Sequence, residues 1–62
     1  MSATTQQITE AFNAFIEDNT KFAEKGNKAA GTRARKALLE LSKLAKARRS
    51  EISEEKAAAA EG

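Results

Sequence analysis

The chain has 62 residues, 40% of them hydrophobic, a formal net charge of +2, and no proline, cysteine, tryptophan, tyrosine or histidine. This length allows one small domain, and the missing residue types rule out disulfides, thiol or imidazole catalysis and the usual zinc ligand sets. Glutamate and lysine are plentiful, but no nucleophile-base pair, metal cluster or phosphate loop can be assembled, so no enzyme, cofactor or small-molecule substrate is expected.

The opening Met1-Ser2-Ala3-Thr4-Thr5 has no basic n-region. No later segment approaches the roughly 18 apolar residues that span a bilayer, so the expected setting is cytoplasmic with no membrane partner. Thr4 or Thr5 is expected to cap a first helix, with Glu10 complementing the positive end of its dipole. Ile8, Phe12, Phe15, Asn19, Phe22 and Gly26 then recur at alternating steps of four and three, the seam of a coiled coil or helical hairpin, which Ile16 and Ala23 widen. All three phenylalanines lie on this stripe, which reads as hydrophobic core in preference to base-stacking surface. Asn19 either restricts register and partner number from within the seam or faces solvent at its edge.

Gly26 is suited to the left-handed conformation that ends a helix after Lys25, and Asn27 is a favoured cap for the next one. The alternative start is Thr32, preceded by Gly31 in a looser loop. Beyond the corner, Ala30, Ala34, Ala37, Leu38, Leu41, Leu44, Ala45 and Ile52 share one side at about 100° per residue and are expected to pack on the first helix. Leu39 lies off this side, as a candidate contact with another chain or a single exposed leucine.

Charge changes sharply at the corner. Residues 1–27 carry Lys21 and Lys25 against Glu10, Glu17, Asp18 and Glu24, a net −2. Residues 28–49 carry Lys28, Arg33, Arg35, Lys36, Lys43, Lys46, Arg48 and Arg49 against Glu40 alone, a net +7, and residues 50–62 return −3. Six of those cations, Lys28, Arg35, Lys36, Lys43, Lys46 and Arg49, fall on one stripe opposite the apolar side, with Arg33 and Arg48 nearer the seam. An ordinary solvated face mixes signs to gain (i, i+4) pairs, whereas this one tolerates self-repulsion, as a surface for a polyanion does.

The expected fold is all-α: an antiparallel hairpin of two helices, about 4–25 and 28–57, with residues 1–56 as the domain and 57–62 as a frayed tail that has little to bury after Ile52. Ten large apolar side chains are few to order such a chain, so two hairpins are expected to join as a homodimer in a four-helix bundle or coiled coil. The expected dimer or core residues are Ile8, Phe12, Phe15, Asn19, Phe22, Leu38, Leu41, Leu44 and Ile52. The expected phosphate contacts are Lys25, Lys28, Arg33, Arg35, Lys36, Lys43, Lys46 and Arg49. The partner they fit is double-stranded DNA gripped by its backbone, because the stripe lacks planar base-reading groups. The alternative is a helical scaffold that docks on another protein through Leu39 and the seam, its charge serving solubility.

The run Lys21-Phe22-Ala23-Glu24-Lys25-Gly26-Asn27-Lys28-Ala29-Ala30-Gly31-Thr32-Arg33-Ala34-Arg35-Lys36, continuing to Ile52, resembles the bacterial linker-histone-like proteins best known from chlamydiae. The resemblance covers about half the chain, and Glu24 to Ala30 is its most specific part. It implies a nucleoid-associated protein that compacts or coats DNA without strong sequence preference, and it marks Lys25, Gly26, Asn27, Lys28, Arg33 and Arg35 as the shared pattern. The lysine-rich C-terminal tail of those relatives has no counterpart in Ala57 to Gly62, so either the second helix grips DNA itself or binding has been lost.

Overall fold

A computed structural model describes residues 2–61, with side chains through residue 59. Two helices, α1 (Ala3–Lys25) and α2 (Lys28–Glu61), form an antiparallel hairpin measuring 52 × 17 × 13 Å. The first cap falls earlier than Thr4 or Thr5: Ser2 is extended, and its Oγ accepts the Thr5 amide at 3.0 Å. That hydroxyl satisfies an amide at the end of the helix, and Thr4 is thereby freed to act elsewhere.

The corner is the two-residue turn expected. Gly26 is left-handed, at φ 66° and ψ 23°, and its amide donates to the Phe22 carbonyl at 3.0 Å. Asn27 then caps α2, its Oδ1 accepting the Ala30 amide at 3.1 Å. The alternative start at Thr32 is overturned, since Thr32 lies inside α2 with its hydroxyl donating to the Lys28 carbonyl.

The helices meet along a narrower line than the apolar pattern suggested. The line of contact runs through Thr4, Ile8, Ala11, Phe15 and Asp18 of α1 and Ala30, Ala34, Ala37, Leu41, Leu44, Arg48 and Glu51 of α2, all partly or more deeply covered, and Thr5, Lys21 and Gly31 beside it are partly covered as well. Both rows alternate steps of three and four, so each presents one stripe to the other. Among the described residues only Ala30 and Ala34 are buried, and these small side chains let the two backbones approach closely.

Phe12, Ile16, Phe22, Leu38 and Ile52 remain exposed, as do Asn19 and Ala45. The α1 stripe was therefore misplaced by part of a turn: Ala11 and Asp18 occupy the line of contact where Phe12 and Asn19 were expected. Likewise Leu38, Ala45 and Ile52 are exposed beside the line of contact rather than covered by α1. An antiparallel pair covers only one narrow stripe per helix, and apolar faces this wide exceed what one neighbour can cover.

Gly31 belongs to the packing as well. A Cβ built there would lie 2.6 Å from Phe22 Cδ1, so the absence of a side chain lets the ring rest against the α2 backbone. At the open end, Thr4 Oγ1 donates to Glu51 Oε2, and Arg48 reaches Glu51 at 2.8 Å and Glu55 at 2.7 Å. Beyond this clasp α2 continues to Glu61, past the start of α1.

Candidate nucleic-acid interface

The cations of α2 divide into two sets. Arg33 and Arg48 turn to carboxylates: Arg33 Nε lies 3.1 Å from Asp18 Oδ1, and Arg48 bridges Glu51 and Glu55. Asp18 is only 15% exposed at its side chain while Arg33 is 52% exposed, so this pair stitches the helices from the surface and leaves the guanidinium half in water. Lys28, Arg35, Lys36, Lys43, Lys46 and Arg49 are exposed, and none of them is in an ion pair among the described residues. They cover the outer side of α2, where Leu39, 58% exposed, sits near Thr32, Arg35 and Lys36. Lys25, also exposed, adds a charge at the corner.

The corner's amides are largely spent. Gly26 and Asn27 donate to the last carbonyls of α1, and Ala30 donates to the Asn27 side chain. Charge at the corner therefore comes from Lys25 and Lys28, assisted by the positive end of the α2 dipole.

Two carboxylate features escaped sequence reasoning. Asp18 holds a position in the line of contact, and its signal was the spacing of three after Phe15 and four before Phe22. The clasp of Thr4, Arg48 and Glu51 continues the α2 stripe in polar residues at the same spacing. The hydrogen bond from Thr4, then that from Arg48, holds the Glu51 carboxyl below the ordinary glutamate value. Arg48 is correspondingly raised by its hydrogen bonds to Glu55 and Glu51.

The two helix faces beside the line of contact differ. One groove is lined by Phe15, Asn19, Phe22, Gly31, Ala34 and Leu38, with Lys28 and Arg35 along its α2 edge. The other is lined by Ala11 and Ala14 against Arg33, Lys36, Ala37 and Glu40. One flank is thus aromatic and apolar, while the other is small and charged. Among the described residues no group of three or more acidic, cysteine or histidine side chains gathers to hold a metal, and no helix is long and apolar enough to cross a membrane.

A helical hairpin with an acidic first helix and a second helix whose cations face solvent defines a small helical module with one basic face. A family model described as Histone H1-like protein Hc1 matches residues 2–58, and the chain belongs to that family. This places it among histone-like, DNA-binding proteins. No curated protein and no solved structure gives a significant match.

Proposed function

We propose that this chain is a nucleoid-associated protein that binds double-stranded DNA without sequence preference, gripping phosphates through the outer side of α2. The observation that carries this is the row of six exposed cations, Lys28, Arg35, Lys36, Lys43, Lys46 and Arg49, without carboxylate partners among the described residues while Arg33 and Arg48 are paired. Lysine and arginine in such a row contact phosphates as charges and carry no sequence information. The working form is a homodimer in a four-helix bundle, because Phe12, Ile16, Phe22 and Leu38 are exposed in the single hairpin.

The test is DNA binding across a salt series. If about six phosphates are engaged, log K should fall against log salt with a slope near −5, similarly for unrelated duplexes. A slope near zero, or no binding at about 50 mM salt, refutes the proposal. Reversing Arg35, Lys36 and Lys43 together to glutamate should abolish binding with helicity intact. Arg33→Gln should change affinity far less. The scaffold alternative rests on the exposed apolar flank, and it gains support if the chain dimerises but binds no duplex at low salt.

A further inference from the structure

The outer side of α2 carries a large apolar side chain in the middle of its charge. Leu39 is 58% exposed, more than Phe12, Phe22 or Leu38. It stands eleven residues after Lys28 and ten before Arg49, at the midpoint of the basic row. Single exposed leucines are ordinary on protein surfaces, so it is the position of this one, and not its exposure, that points to a use.

The basic row is not a single file. Ala30 and Arg48, each nine residues from Leu39, are about 180° from it around the helix and lie in the line of contact with α1. Leu39 therefore faces directly away from α1, on the crest of the outer side. By the same rotation Thr32 and Ser50 fall about 20° from Leu39, while Lys36 and Lys43 fall about 40–60° to one side of it and Arg35 and Arg49 about 40–80° to the other. Lys28 and Lys46 stand about 20° off, toward Arg35. Around its midpoint the crest is thus uncharged, with exposed cations on both sides. Arg35 and Lys36 border Leu39 in the shallow surface hollow that it shares with Thr32.

Cations along the crest itself would suit contact with one phosphate strand from outside the duplex. Cations on two sides of an apolar ridge fit a groove instead, with a phosphate strand on each wall and base edges at the floor. Size selects the groove. An α-helix with its side chains is about 10–12 Å across, which matches the major groove at about 12 Å and exceeds the minor groove at about 6 Å. A straight helix laid in a curving groove comes nearest the floor at its middle, where Leu39 stands. The apolar group on the major-groove floor is the C5-methyl of thymine, and a leucine has no hydrogen bond to offer the other base edges. Thr32 adds no free donor, because its hydroxyl donates to the Lys28 carbonyl at 3.3 Å.

We infer that α2 enters the major groove of the duplex with Leu39 against thymine C5-methyl groups, while Lys36 and Lys43 hold one phosphate strand and Arg35 and Arg49 the other. This rests on the DNA-binding function proposed above and names the groove it uses. The phosphate contacts stay indifferent to sequence, and the leucine adds a bias toward A·T steps well short of what a bidentate side chain gives. The apolar flank, with Leu38 about 100° around the helix from Leu39, stays clear of the groove.

The test is fluorescence anisotropy of the full chain at about 50 mM salt on two duplexes of alternating sequence, one of dA and dT and one in which dU replaces every dT. The exchange removes the C5-methyl and keeps every phosphate and base-pair hydrogen bond. Wild type should bind the dT duplex about four-fold tighter for each methyl that Leu39 covers, as burial of one such group implies. Leu39→Ala keeps a strong helix former at an exposed position and removes no cation, so it should bind the two duplexes equally, with the salt slope of the wild type. Equal wild-type affinity for the two duplexes overturns the major-groove contact and leaves phosphate binding standing. A preference for dT that survives in Leu39→Ala overturns it as well, since the duplexes themselves then account for the difference. So does a smaller salt slope in that variant, which would mean that the leucine places cations instead of touching bases. Failure of the wild type to bind either duplex refutes the DNA-binding function itself.

Discussion

Substituting Gly31 by alanine tests whether the Phe22 ring rests on the α2 backbone. Taken as a helix position alone, Gly31→Ala should stabilise the chain by about 0.5–1 kcal/mol, since glycine in a helix interior carries that penalty. The packing opposes this. A methyl at Gly31 would stand 2.6 Å from Phe22 Cδ1, 2.9 Å from Cε1 and 3.2 Å from Cγ. Because Cγ is itself crowded, rotation of the ring in place gives no relief, and the side chain must swing away. Phe22 is 49% exposed, so about half of its burial is at stake. Complete burial of such a side chain is worth about 1.5–3 kcal/mol, which puts the loss at about 1–1.5 kcal/mol before any residual strain.

The two effects are separable in a double-mutant cycle. Gly31→Ala should lower stability by up to about 1 kcal/mol in the wild-type background. In a Phe22→Ala background it should raise stability by about 0.5–1 kcal/mol, so the coupling between the sites should be about 1–2 kcal/mol. Urea unfolding followed by far-ultraviolet circular dichroism, with all four chains at one concentration, measures it; fixed concentration keeps any dimerisation from entering the comparison. A stabilising and equal effect of Gly31→Ala in both backgrounds would refute the packing argument.

Three other consequences are open to measurement. Asn27→Ala should cost about 1 kcal/mol through loss of the α2 cap, and Gly26→Ala about 1–2 kcal/mol because a Cβ is strained at φ 66°; both are read from thermal unfolding. The Glu51 carboxyl is held below its ordinary value in the folded chain, so its contribution is present above the unfolded pKa, about 4.3, and fades as pH falls through the lower folded value. Thr4→Val should therefore flatten part of the stability loss between pH 5 and pH 3, and an identical loss in both chains would show that the Thr4 hydrogen bond does not act on Glu51. Finally, α2 beyond the clasp has no α1 opposite, so the amides of residues 57–61 should exchange with solvent far faster than those around Leu41; equal protection would contradict the expected fraying.

Much of the fold was legible because local chemistry determines it. Gly26 and Asn27 are each close to the best residue for one cap position, and together they leave little choice of turn. The Ser2 cap was missed because Ser2, Thr4 and Thr5 all offer hydroxyls within one turn, and geometry rather than residue type selects among them. The face that α1 turns to its partner was harder to read. Phe12 and Ile16 make one side of α1 more apolar than the side carrying Ala11 and Asp18, yet it is the latter that the hairpin turns toward α2 and partly covers. Close approach of two backbones rewards small residues, and a hydrophobicity pattern gives small residues little weight.

That misplaced stripe also bears on the charge. Had Phe12 and Leu38 lain in the line of contact, one hairpin would have covered more of its own apolar surface, and the basic row would be a property of a single rod. Instead, among the described residues, the single chain buries nothing larger than alanine and leaves Phe12 52% and Leu38 47% exposed on the flank edged by Lys28 and Arg35. Covering that flank with a second copy leaves Lys36, on the opposite flank, and Lys43, one heptad further on, for phosphate. Association and DNA binding would then draw on different residues of α2. It follows that Leu38→Glu should weaken the dimer, whereas Lys43→Gln should weaken DNA binding alone. Sedimentation and anisotropy on the same two variants separate these outcomes, and equal dimer stability in both would show that the flank beside Leu38 does not join the copies.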